Sequence, residues 1–336
     1  MKKFTFGCFY IFLLCLVMSN AQAGNKITIA GIGGGTPNLG TGQDPQKMVG
    51  RMIEFWQSRL EEVLPDRPDL IVLPEACDRP SGLTPEEQFN YFRVRKNQIW
   101  DYFASVAKSN NCYIAFGTKR KTGDGSWRNS CVVLDRKGET AGIYDKNFPT
   151  IGEMERGIIA GTELPVIQCD FGRVACVICF DLNFEELRLK VKNAHPDIII
   201  FPSMYHGGLV QSNWAYSCRS FFVSSCGSDD LPSEIRSPLG EVLNSSTNYF
   251  NYVVAEVNLD SRLVHLDYNW DRLSSLKKKY GDAVTITDPG KLGAVLVTSE
   301  HESINADQMI REFDIELLDD YLERSRRFRI KHTGRE

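Results

Sequence analysis

From residue 26 onward, short blocks of uninterrupted apolar residues take turns with longer stretches in which apolar positions recur every three to four residues. The first pattern reads as buried strand and the second as amphipathic helix. Residues 26–30 predict a first strand and residues 44–63 a helix. Leu70-Ile71-Val72-Leu73, stopped by Pro74, predicts a strand apolar on both faces. Residues 85–109 predict a helix, with Pro85 and two acids at its start. Strands follow at 112–118, 129–134 and 139–144, with glycine turns between them, and a hairpin at 166–169 and 174–179 around Phe171-Gly172. A helix over 185–193, an apolar strand at 198–201 ended by Pro202, a helix over 210–223 and a strand at 252–257 complete the series.

Strands apolar on both faces need cover on both sides, so the expectation is an α/β fold in which helices cover a sheet and a second sheet backs it. Beyond residue 258 the chain becomes more charged. Met309, Ile310, Phe313, Leu317 and Tyr321 predict a helix over 306–324, and the basic tail from 324 to 336 is expected to fray. The amino terminus is different again. Lys2-Lys3, an apolar run over 4–18 and small residues at Ala21 and Ala23 have the layout of a secretory signal peptide cut after Ala23. The expected organisation is therefore a signal over 1–23, a main domain over 24–257 and a partly helical extension over 258–336. The product is expected to be exported, periplasmic or secreted, with no membrane attachment after cleavage.

Composition narrows the function. Apolar residues make up 42% and charged residues 24% of 336, the balance of an ordinary globular protein. A formal charge of -4 argues against a nucleic-acid partner bound through its phosphates. Five scattered histidines and the lack of HExxH or CxxC spacing argue against a metal site. Gly31-Ile32-Gly33-Gly34-Gly35-Thr36 is no dinucleotide loop, because Thr36 stands where the third glycine is needed, and no GxSxG marks a serine hydrolase. Cys112, Cys131 and Cys176, set in apolar runs, read as small core residues.

Three residues sit just past predicted strands, where open α/β sheets place their chemistry. They are Glu75 in Leu73-Pro74-Glu75-Ala76, Lys146 in Tyr144-Asp145-Lys146-Asn147-Phe148-Pro149-Thr150, and Cys179 in Val177-Ile178-Cys179-Phe180-Asp181. A thiol becomes a nucleophile beside a base and a cation, and a lysine ammonium can hold a developing oxyanion. A helix starting near Glu185 would lower the thiol pKa further if aimed at it.

The order of these motifs, with the flanks of residues 196–203 and 237–243, resembles the nitrilase or carbon-nitrogen hydrolase superfamily over residues 25–257. The resemblance implies a four-layer αββα sandwich with Cys179 as nucleophile, Glu75 as general base and acid, and Lys146 with the Phe180 N–H as oxyanion donors. It implies a second glutamate after the lysine, for which Pro149-Thr150-x-x-Glu153 points to Glu153, with Glu155 as rival. No cofactor is implied, and the family commonly forms homo-oligomers. Cys179-Phe180-Asp181 looks more like the amidase and carbamoylase branches than true nitrilases, which carry Trp-Glu there. The expected substrate is a small amide or N-carbamoyl compound; a nitrile, or a non-catalytic binding role on the same fold, is the alternative. Phe180, Ser203, Tyr205 and His206 are the candidate substrate-binding residues, with Trp214 beside them; Tyr205, His206 and Trp214 lie beyond the strand that ends at Ser203.

Overall fold

The computed structural model describes residues 24–334; the signal-peptide reading of residues 1–23 lies outside them. In chain order the first half runs β1 (Lys26–Ile32), α1 (Pro45–Glu61), β2 (Leu70–Val72), α2 (Pro85–Arg95), α3 (Gln98–Asn110), β3 (Tyr113–Lys121), β4 (Trp127–Leu134), β5 (Thr140–Asp145) and α4 (Ile151–Glu155). It continues through β6 (Val166–Gln168), β7 (Arg173–Cys176), α5 (Glu185–Ala194), β8 (Ile198–Ser203), α6 (Leu209–Cys218), β9 (Phe221–Cys226), β10 (Glu234–Arg236), β11 (Val242–Ser245) and β12 (Tyr252–Asn258). The extension adds β13 (Ser261–His265), α7 (Trp270–Tyr280), β14 (Val284–Thr287), β15 (Ala294–Ser299), α8 (Ala306–Glu312) and α9 (Leu318–Thr333).

Two six-stranded sheets form, in the orders β12-β1-β2-β3-β4-β5 and β11-β10-β9-β8-β7-β6. Their inner faces meet in one core that includes Ile29, Val72, Ala115 and Val133 from the first sheet and Val174, Cys176, Ile198 and Ile200 from the second. The alternate residues of the same strands point outward. Ala30, Ile71 and Ile114 pack under α1, α2 and α3, and Ala175, Ile199 and Phe201 under α5 and α6. The layers are thus helix, sheet, sheet, helix, the αββα sandwich. The period-two geometry of a strand explains why residues 198–203 are buried throughout: each face has its own apolar neighbour.

The sequence pattern misplaced some boundaries. The helix over 85–109 is two helices, broken where Lys96 takes φ 46°. The helix over 210–223 ends at Cys218, Arg219 turns left-handed, and Phe221–Cys226 becomes the all-buried β9. A run of aromatic and small residues satisfies either period, and only the gap beside β8 selects the strand. The extension holds a three-stranded sheet, β13-β15-β14, which was not anticipated; α7 and α8 pack on it around Leu276, Val297 and Met309. The helix over 306–324 is interrupted between α8 and α9, and α9 runs on to Thr333 instead of fraying at 324.

Candidate active site

The parallel pairings of β1 with β2 and β2 with β3, and of β7 with β8 and β8 with β9, bring the carboxyl ends of strands from both sheets to one edge of the sandwich. Glu75 follows β2 there. The chain stays against β3 after the strand ends, through Leu73 N–H to Ala115 O at 2.8 Å, Gly117 N–H to Pro74 O at 3.1 Å and Cys77 N–H to Gly117 O at 3.0 Å. This close approach requires a glycine at 117, since a Cβ there would lie 2.6 Å from Pro74 O.

Lys146 follows β5 and is fully buried, its Nζ donating to Glu75 Oε1 at 2.8 Å and to Glu153 Oε2 at 2.9 Å. Glu153 is fixed by a capping box at the start of α4: its Oε2 accepts from Thr150 N–H at 3.0 Å and its own N–H meets Thr150 Oγ1 at 3.2 Å. Of the two rival glutamates, Glu153 is therefore the one beside Lys146, while Glu155 is exposed. Asn129, on β4, links the two acids. Its Nδ2 donates to Glu75 Oε1 and to Glu153 Oε1, both at 2.7 Å. Burial works against charge here, yet the two carboxylates hold the Lys146 ammonium well above its ordinary range. Lys146 in turn overcomes burial at Glu153 and pulls its carboxyl down to about 2.

Cys179 sits past β7 at the head of a tight turn with φ 48°, a left-handed conformation that exposes a nucleophile on a sharp bend. It alone of the eight described cysteines is not buried, and all eight are free thiols. Burial and the charge of Glu75 push its thiol up to about 12, against Lys146, the Met204 N–H and the Ser203 hydroxyl. The expectation of a lowered pKa is thereby corrected: the resting group is a thiol. The turn itself is held by Asp181, whose Oδ2 accepts from Ile178 N–H at 2.8 Å and Tyr144 OH at 2.7 Å, and whose Oδ1 accepts from Phe148 N–H at 2.8 Å. Asp181 thus ties the cysteine turn to the lysine loop.

The other candidates separate. Phe180 is exposed at the rim, edge-on to Phe184 at 5.3 Å, and its N–H has no partner among the described residues. Ser203 is fully buried; its hydroxyl donates to Tyr205 O at 2.6 Å, accepts from Tyr205 N–H at 3.0 Å and touches the thiol, so it supports Cys179 rather than facing a ligand. Tyr205 is half-buried near Cys179, with Asn183 Nδ2 donating to its hydroxyl at 3.1 Å. Both ring nitrogens of His206 are engaged, by Glu234 Oε2 at 3.0 Å and Gly208 N–H at 3.1 Å, which leaves none for a substrate. Trp214 is buried under the second sheet, its indole N–H on Leu182 O at 3.0 Å, and is packing, not pocket. Asn129 and Asp181 were missed as site residues. A polar residue on the inward face of apolar β4, and an acid two positions after the cysteine, were the available signals.

A cleft of ≈ 290 Å³ opens beside Glu75, walled by Arg79, Met204, Gly227 and Asp229. Larger hollows of ≈ 470 and ≈ 420 Å³ lie around the extension and lack these groups.

The fold is shared with an amidase from Nesterenkonia sp., at a TM-score of 0.59 and 15% identity over 76% of this chain and 96% of that one. It is shared too with Nit3 of Saccharomyces cerevisiae, a member of branch 10 of the nitrilase superfamily, at 0.58 and 16% over 80% and 97%. In sequence, the deaminated glutathione amidase of Mus musculus is 25% identical over 46% of this chain and 52% of its own. The hydrolase C26A3.11 of Schizosaccharomyces pombe is 20% identical over 56% and 66%. The chain therefore spans between half and two thirds of these relatives' lengths. The profile of the family described as Carbon-nitrogen hydrolase matches residues 30–225, more than half of the chain and all of the strands that carry Glu75, Lys146 and Cys179, and the chain belongs to that family.

Proposed function

We propose that the chain hydrolyses a small amide or N-carbamoyl compound by two-step acyl transfer through Cys179. The observation that carries this reading is the Lys146 ammonium held between Glu75 and Glu153 beside the one cysteine that is not buried among the described residues. Glu75 takes the Sγ proton as sulfur attacks the carbonyl carbon. Lys146 and the Phe180 N–H receive the oxyanion, a role in which one preorganised donor is worth about 3–4 kcal/mol. The C–N bond breaks, Glu75 passes the proton to the leaving nitrogen, and a thioester remains. Water then gives a proton to Glu75 and adds to the thioester carbon as hydroxide; the C–S bond breaks, the carboxylic acid leaves, and Glu75 returns that proton to Sγ. Glu153 and Asn129 act as positioning residues for Lys146 and Glu75. Because burial holds the thiol protonated, proton removal and attack belong to one step.

In mutants of the amidase from Nesterenkonia sp. AN1, acrylamide and the acetamide moiety of fluoroacetamide add to the active-site cysteine, which supports the same role here. The Phe180-Asp181 pair after the cysteine supports amides and N-carbamoyl compounds over nitriles. The test is ammonia release from short amides, N-carbamoyl amino acids and nitriles, run beside Cys179→Ala. Release that stops with the substitution is expected; release that survives it rules the mechanism out. Export and self-association belong to the same proposal, the first supported by the pattern of residues 1–23. A mature mass starting at Gly24 and a light-scattering mass above one chain are the expected results.

A further inference from the structure

The helix α9 leaves the body at Arg324, whose Nε and Nη2 donate to Glu316 Oε1 and Oε2, both at 2.7 Å, and whose guanidinium lies 5.1 Å over the Tyr321 ring. From there to Gly334 every residue is exposed. Among the described residues, the further ion pairs and ring contacts of this stretch are internal to the helix. Arg326 and Arg327 share Glu323, at 3.2 and 2.9 Å, and Phe328 stacks on His332 at 4.0 Å. Arg329 and Lys331 have no ion pair among the described residues. The stretch thus holds out Arg326, Arg327, Arg329 and Lys331 against the single acid Glu323, on a chain whose formal charge is -4. A helical segment this short is marginal in water on its own, with only these local pairs and the cations at the carboxyl end of the dipole to support it. At 3.6 residues per turn, Arg326, Arg327, Phe328, Ile330 and Lys331 fall on about half of the circumference, and Ser325, Arg329, His332 and Thr333 on the rest. The first half carries both large apolar side chains of the stretch, Phe328 63% and Ile330 40% exposed, each set among cations.

A helix side that mixes cations with large apolar groups matches the boundary of a bilayer, where the cations meet headgroup phosphates and the apolar groups reach hydrocarbon. A nucleic acid would satisfy the cations and leave Ile330 in water. We propose that this half of α9 docks the protein on the surface of a bilayer that contains anionic phospholipid. Among the described residues no helix is long and apolar enough to cross a membrane, so the contact is peripheral. The remainder of the chain is acidic and is repelled by the same surface, so the tail meets the lipid and the body stands off from it. This departs from the expectation of no membrane attachment after cleavage of the leader, which took no account of the charge on a helical tail.

The experiment sediments the purified chain, in the processed form the cells yield, with vesicles of equal parts phosphatidylglycerol and phosphatidylcholine and with vesicles of phosphatidylcholine alone. Binding to the anionic vesicles is expected to exceed binding to the neutral ones by about tenfold or more, since several cations act together. Raising the salt from about 0.1 M to about 1 M shortens the screening length from about 10 Å to about 3 Å and should remove that excess. The triple variant Arg326→Gln, Arg327→Gln, Lys331→Gln should lose it at low salt while keeping the wild-type unfolding midpoint, because these side chains touch nothing in the body. The double variant Phe328→Ala, Ile330→Ala should bind more weakly and keep its dependence on salt. Equal binding to both kinds of vesicle overturns the inference, as does an excess that persists in the triple variant. So does tail-dependent binding of a short DNA duplex without vesicle binding. If the triple variant lowers the light-scattering mass and wild type binds no vesicle, the tail serves self-association and the inference falls.

Discussion

Lys146 is 1% exposed and, among the described residues, is the only cation bonded to both Glu75 and Glu153. Replacing it by methionine leaves two buried carboxylates facing one another through Asn129. Breaking a buried pair in this way costs about 3–5 kcal/mol. The cost should depend on pH with a definite sign. Glu153, held at about 2 by Lys146, contributes stability above its ordinary carboxylate range and loses it as pH falls through about 2. The Lys146→Met deficit in urea unfolding is therefore expected to be large at pH 7 and to shrink toward pH 3; a deficit that does not change with pH counts against the ion pair. The thiol makes a second residue-scale prediction. With its pKa pushed up to about 12, Cys179 should be alkylated by iodoacetamide at a rate that keeps rising above pH 9, while the seven buried cysteines stay unlabelled. Peptide mapping after a short pulse checks it, and a rate that levels off near pH 7 would show a resting thiolate instead.

At the scale of elements, the site depends on two loops and one short turn that must keep register. Asp181 does this with three hydrogen bonds, from the turn's own Ile178 N–H, from the Tyr144 hydroxyl at the end of β5 and from the Phe148 N–H on the lysine loop. Asp181→Ala strands two buried donors and one part-buried donor, the buried ones at about 1–3 kcal/mol each, so a large loss of both stability and kcat is expected in unfolding and rate measurements. Burial pushes the Asp181 carboxyl up to about 6 despite those donors. A raised folded pKa gives stability that is present below the unfolded carboxylate range and is lost as pH rises through about 6, so acid does not unfold the protein through this group. Protonation does weaken the tie between turn and loop. The predicted signature is an acidic limb in kcat near pH 6 with no matching fall in unfolding midpoint, and Asp181→Asn should erase the limb while lowering the plateau. The five-residue α4 has a comparable duty. Its capping box with Thr150 is what aims Glu153 at Lys146, and that much was readable in Pro149-Thr150-x-x-Glu153.

At the scale of the whole molecule, stability should be concentrated in the sandwich and in the small sheet of the extension rather than in the tail. In α9 only Leu318 is buried, with Leu322 packed beside it; Tyr321 stacks on His265 at 3.6 Å and Asp319 meets Arg219 at 3.0 Å, and all of these contacts lie before residue 325. Removing residues 325–334 is expected to shift the unfolding free energy by no more than about 0.5 kcal/mol, whereas Leu276→Ala, in the core between α7 and the small sheet, should cost about 2–5 kcal/mol. Thermal unfolding of the two variants decides between them.

Local pattern alone was enough for the strands with one apolar run per face, for the resemblance that pointed to a layered sandwich, and for singling out Glu75, Lys146 and Cys179 as candidates, because backbone period and strand-end motifs are short-range properties of the chain, while the choice of Glu153 over Glu155 beside Lys146 took the structure. Phe221–Cys226 and the extension's sheet were not legible, since their composition suits more than one period and a neighbouring strand had to choose. Tertiary structure alone brought Asn129 between two acids from different elements, hung Asp181 across two loops, filled both nitrogens of His206, buried Trp214 and raised the thiol pKa. Each of these depends on distances between residues 24 to 54 or more positions apart, or on burial, and burial and Coulomb interaction are properties of the packed volume that no local stretch of sequence contains.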